Sequence, residues 1–158
     1  KLRVVADLER GYQMPILGVF PEYANNKKKA FGGIDRWIQS LFYREHSSTD
    51  EVVALVTSRI EVIVDKLGLE TLYITGTGNS EDSEMVRNAL VRMLREEGVS
   101  VSEGISVVQD SQSLKRMAEA DGVIFVEKIG ESRYDDLKEE GSICQSYQIP
   151  VLGCVVLR

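Results

Sequence analysis

The carboxyl half of the chain alternates between short β-branched runs and stretches with helical spacing, a pattern that predicts βαβ units with a parallel sheet between helix layers. Leu72 to Thr75 is a β-rich run ending at a glycine. After it, Met85, Val86, Ala89, Leu90, Met93 and Leu94 share one helical face, in a helix that begins near Ser80 or Glu81 and stops at Gly98. Val99 to Val101 and Ile105 to Val108 compete for one strand position, with Glu103-Gly104 as the break. Ser111 to Ala120 reads as a short helix with Leu114, Met117 and Ala118 inward. Gly122 to Val126 is continuously apolar, as expected of a strand covered on both faces. A helix over Arg133 to Tyr147 follows, with Leu137, Cys144 and Tyr147 inward and a weak point at Gly141. Pro150 then opens a last strand, Val151 to Leu157.

The amino half is less regular. Lys1 to Val5 reads as an edge strand, Asp7 to Tyr12 as one or two helical turns, and Ile16 to Phe20 as a short strand after Pro15. Residues 21–33 carry Pro, Asn, Lys and Gly and read as a loop. Ile34, Trp37, Ile38 and Leu41 give a short amphipathic helix toward Tyr43. Ser47-Ser48-Thr49-Asp50 caps a long helix from Glu51 to Leu67, ended by Gly68. There Val53, Val56, Ile60, Ile63 and Leu67 form a seam that Val52, Leu55 and Val62 widen into a stripe suited to packing on a sheet.

With 158 residues, 43% of them hydrophobic, the chain suits one domain, 1–158. A net charge of −6 argues against nucleic acid as a partner, because phosphate neutralisation needs a basic face. The one basic run, Lys27-Lys28-Lys29, reads as a solvated loop, with a juxtamembrane patch as the sharper alternative. Two cysteines, Cys144 in a helical pattern and Cys154 in a strand pattern, fit a reduced cytosolic setting. No run approaches membrane-spanning length, so the piece itself is expected to be soluble. A chain that starts at Lys1 reads as a trimmed piece, with a membrane anchor as one candidate for the missing part.

Thr71 to Val91 has the strand, loop and helix layout of a phosphate-binding P-loop without its chemistry. That loop needs backbone N–H groups closing on phosphate, a Lys on the β and γ phosphates, and a hydroxyl on magnesium. Gly76, Thr77, Gly78, Asn79, Ser80 and Ser83 are the candidate ligand-binding residues. No Lys or Arg follows them until Arg87, while Glu81, Asp82 and Glu84 crowd the helix start. Two like charges about 4 Å apart repel by roughly 4 kcal/mol at an effective dielectric near 20, so such a carboxylate opposes a bound triphosphate. The loop is therefore read as degenerate, in a three-layer, P-loop-like (Rossmann-like) α/β domain.

Other chemistry is sparse. His46 has no second histidine or cysteine pair at metal spacing, and no metal or cofactor is expected. Cys154 sits mid-strand, where thiols pack inertly. Asp135-Asp136 and Glu139-Glu140 read as a solvated helix face. Tyr134, among acids at a helix start, is a weak candidate for modification by a separate kinase.

The order of motifs resembles the cytoplasmic domain of the bacterial polysaccharide chain-length determinant and tyrosine-kinase (BY-kinase) family. The matching segments are Asp7-Leu8-Glu9 with Met14 to Pro21, then Ala118 to Val126, Gly130 to Leu137, and Ile149 to Leu157, where Arg158 replaces a terminal Asn. Departures from that family shape the expectation. Its lysine position falls on Ser83, the following hydroxyl position on Glu84, and a glycine position on Asp82. The interval to Asp121 is too short for the motifs that hold magnesium. Aligned on Glu51, the two arginines of a subunit-joining pattern fall on Ala54 and Thr57. The resemblance thus implies a pseudokinase: a non-catalytic regulatory or assembly domain of a polysaccharide co-polymerase for capsule, exopolysaccharide or lipopolysaccharide. It would lie at the cytoplasmic face of the bacterial cell membrane, with polysaccharide assembly and export proteins or further copies of itself as partners. The alternatives are a small-ligand or nucleotide sensor using loop 76–83 and, third, an active tyrosine autokinase.

Overall fold

A computed structural model describes residues 1–3, 5–20 and 49–158. The helix expected around Trp37, the Lys27 to Lys29 run, His46 and the Ser47-Ser48 cap lie outside the described residues. Five strands and five helices are described: α1 (Ala6–Tyr12), β1 (Ile16–Phe20), α2 (Thr49–Leu67), β2 (Thr71–Thr75), α3 (Glu81–Glu96), β3 (Ser100–Glu103), α4 (Ser111–Glu119), β4 (Gly122–Lys128), α5 (Tyr134–Ser146) and β5 (Val151–Leu157). The strands form one sheet in the order β1-β5-β4-β2-β3, and every pairing is parallel. The expected α/β class with a parallel sheet is what forms.

Both faces of the sheet are covered, and alternate side chains feed two cores. Leu72, Ile74, Ile124, Val126, Val155 and Leu157 pack against α2 and α3 through Val56, Ile60, Leu90 and Leu94. Tyr73, Val123, Phe125, Cys154 and Val156 form the other core with Leu8 of α1, Met117 of α4, and Leu137 and Cys144 of α5. The continuous apolar run of β4 is thus explained by burial from both sides. α2 presses so closely on β1 that a Cβ at Gly18 would collide with Val56.

Several expectations need correction. Lys1 to Arg3 form no strand; Leu2 instead exchanges backbone bonds with the turn after β4, its N–H donating to Ser132 O and its carbonyl accepting from Gly130 N, both at 2.8 Å. Of the two competing segments, Ser100–Glu103 takes the strand position and 105–108 does not. Tyr147 is exposed rather than inward, and the α2 stripe is narrower than its apolar content suggested, since Leu55, Val62 and Leu67 face outward. Glu140, read as solvated, is completely buried.

The chain runs from β2 to β3 on one side of the sheet, then returns past β2 to place β4 and β5 on the other. Strand order therefore reverses between β2 and β4, and their carboxyl ends flank the crevice where sheets of this kind bind ligands.

Candidate functional site

Two turns meet at that crevice, 76–80 after β2 and 129–133 after β4. Gly76 passes against the β4 backbone, and a Cβ there would run into the Val126 carbonyl oxygen, so only glycine lets the chain leave β2 at this point. Thr77 then meets Glu127, the penultimate residue of β4. The Thr77 N–H donates to both carboxyl oxygens of Glu127, at 3.1 and 3.3 Å, and the Thr77 hydroxyl donates at 2.6 Å. Ser132 contributes a third donor at 2.5 Å, and its own oxygen accepts the Lys128 N–H at 3.0 Å. A side-chain carboxyl thus takes the amide and hydroxyl that this kind of turn would direct toward an anion.

Glu127 is fully buried. Burial pushes its pKa up to about 7, against the downward pull of the Ser132 and Thr77 hydrogen bonds and the Arg87 charge. Arg87 does not reach outward for phosphate; it is buried and donates to the Gly78 carbonyl at 3.0 Å, tying α3 to the turn. Ser80 caps α3, its oxygen accepting the Ser83 N–H at 3.3 Å, and the Ser80 and Ser83 hydroxyls pair at 3.0 Å. Asn79 donates to Gln109 at 3.3 Å. The six residues singled out in the sequence are therefore brought together, with the side chains of Thr77, Asn79, Ser80 and Ser83 engaged by protein groups.

The acidic crowding at the start of α3 is also relieved from an unexpected direction. Lys128 extends from β4 to Asp82 at 2.6 Å and lies 3.8 Å from Glu131, so a cation is present at the loop although none precedes Arg87 in the local sequence. Sequence reasoning missed Glu127, Lys128 and Ser132. The signal was available, because an acid closing the apolar run VIFV is anomalous in a strand covered on both faces.

Both cysteines are free and buried. Burial pushes the Cys144 thiol up to about 12 and raises Cys154 as well, which leaves both protonated and unreactive. Among the described residues no group of three or more His, Cys, Asp or Glu side chains is placed to hold a metal ion. No helix among them is long and apolar enough to cross a membrane. Ala54 lies exposed on α2 whereas Thr57 is buried, so an arginine at position 57 would have to displace the core.

No family model matches the chain, and no curated protein matches it. Among solved structures it is similar to the BceF tyrosine kinase domain, with a TM-score of 0.72 and 10% identity over 99% of this chain and 98% of that one. It also aligns with the chimerical protein CapA2B2 at a TM-score of 0.46 and 12% identity, over 98% of this chain and 99% of that one. The described part of the chain shares the fold of the BceF tyrosine kinase domain.

Proposed function

We propose that this domain works by protein contact and not by phosphoryl transfer, as a regulatory or assembly domain of a polysaccharide co-polymerase at the cytoplasmic face of the bacterial membrane. The observation that carries the non-catalytic reading is the carboxyl of Glu127 in the turn, which takes the Thr77 N–H and hydroxyl. A triphosphate would have to displace that carboxyl and dislodge Lys128 from Asp82. At the family's lysine position and the hydroxyl position after it, a triphosphate would meet Ser83 and Glu84. The fold shared with a tyrosine kinase domain supports descent from a nucleotide-binding ancestor, and the chain-length-determinant motifs support the polysaccharide setting. The outward-facing Leu55, Val62 and Leu67 of α2 supply a surface for a protein partner.

Calorimetry of the purified domain with magnesium ATP and ADP, with light scattering in the same buffer, tests the reading. The expected result is no heat of binding. Micromolar binding that disappears in Gly78→Trp would overturn it.

A further inference from the structure

Residues 104–110, between β3 and α4, cross the carboxyl end of β2. The Gly104 N–H donates to the Ile74 carbonyl at 3.1 Å, and the Thr75 hydroxyl donates to the Ile105 carbonyl at 3.2 Å. At the far end, Gln109 accepts the hydrogen bond from Asn79 in turn 76–80. The segment thus lies beside the crevice and touches the turn that lines it.

Its other anchor is internal. The Ser106 hydroxyl donates to Glu140 Oε1 at 2.5 Å, accepts the Val108 N–H at 3.3 Å, and is completely buried, as is Glu140. Glu140 Oε2 is buried without a hydrogen-bond partner of its own. An ionised carboxylate would place a full negative charge in this buried position with only the Ser106 hydroxyl and the Val107 N–H acting on it, which is far costlier than a neutral acid in the same place.

The surroundings of Glu140 favour the neutral form. Burial and the neighbouring carboxyl of Glu127 on β4 push it up to about 8, Asp136 on its own helix adds to this, and Ser106 with the Val107 N–H pulls it down. The Cys144 thiol on α5 and the Cys154 thiol on β5 also feel Glu140, and neither supplies a cation. On β2, Tyr73 feels Glu140 together with Asp110 and Arg116 of the α4 region, while Arg87 of α3 acts on Glu127.

We propose that residues 104–110 form a lid over turn 76–80 whose latch, Ser106 on Glu140, holds while Glu140 carries its proton. When the proton leaves to solvent, the Ser106 hydroxyl by itself would bind the anion more tightly than the acid, but the cost of keeping the anion dry outweighs that one bond, and the carboxylate draws water to itself. The Ser106 anchor opens, and the lid lifts from Asn79 and the end of β2. The device is independent of whether the turn binds a nucleotide.

Hydrogen exchange on the whole chain, corrected for intrinsic rates, reads this at the amides of Gly104, Val108, Gln109 and Asp110. Between pH 6.5 and pH 9 their protection is expected to fall at least tenfold, while amides within α3 and β4 hold theirs. Glu140→Gln, which keeps the shape of the neutral acid, is expected to retain lid protection at pH 9, and Ser106→Ala to lose it at both pH values. Equal protection of the wild-type lid at both pH values would overturn the proposal even if neither variant folds. An unchanged pH response in Glu140→Gln would overturn it as well.

Discussion

Thr77 and Glu127, 50 residues apart in sequence, share two oxygens: the Thr77 hydroxyl lies 2.6 Å from Oε2 and its N–H is divided between both. Because this carboxyl is buried, its titration is a statement about stability. Its folded pKa, about 7, is raised above the ordinary 4.5. The folded state therefore binds more protons than the unfolded state between those values, and stability falls as pH rises through that window. Glu140 acts in the same direction up to about 8. Asp110 and Asp121, held low by hydrogen bonds, act oppositely, and their contribution is lost as pH falls below the ordinary carboxylate range. Urea unfolding should find greatest stability near pH 4 to 5. Glu127→Gln should remove on the order of 3 kcal/mol from the fall in stability between pH 4.5 and about 7, and an unchanged fall would contradict the buried charge state.

Arg87 is the tie between α3 and the turn. Arg87→Met keeps the packing stem and removes the donor to Gly78, which should cost about 2 kcal/mol in urea unfolding. It should also speed amide exchange in 76–80. A loss under about 0.5 kcal/mol would show that the turn holds itself.

Gly76 tolerates no side chain against Val126 O. Gly76→Ala should destabilise by about 1–3 kcal/mol through forced separation of β2 from β4. The same change at Gly11, where an added methyl would meet no neighbouring atom, should be neutral or slightly stabilising. Thermal melts of the two variants side by side would show whether close approach is the cause.

Leu55 and Val62 lie seven residues apart on one exposed side of α2. Changing both to Ser should alter unfolding free energy by no more than about 0.5 kcal/mol each, since neither is in the core. It should weaken capture of a polysaccharide-assembly partner. Loss of fold in this variant would place these residues in packing and remove the contact surface.

The two cores are legible in the sequence wherever apolar runs are bounded by proline or glycine. Pro15 and Pro150 mark the strands that become β1 and β5, which pair side by side. The mismatches share a cause, in that residue type outweighs spacing. Glu140 follows Leu137 by three positions and precedes Cys144 by four, so the helical period carries it inward, yet its place in a run of acids makes it read as solvated. On α2 the reverse holds, with Leu55 and Val62 added to the buried stripe because they are apolar. The site is half legible. Gly76 to Ser83 announce a turn and a capped helix locally, whereas Glu127, Ser132 and Lys128 arrive from β4 and its turn, through a pairing of strands that local pattern does not specify.

Leu2 donates its N–H to the Ser132 carbonyl and accepts the Gly130 N–H, and Ser132 in turn holds Glu127 by its hydroxyl. Ser132 therefore links the amino end of the domain directly to the polar heart of the sheet. Force applied along the chain at Lys1 is delivered first to the 130–132 turn, and the strain it produces there is borne by the same hydroxyl that keeps the buried carboxyl in register with Thr77.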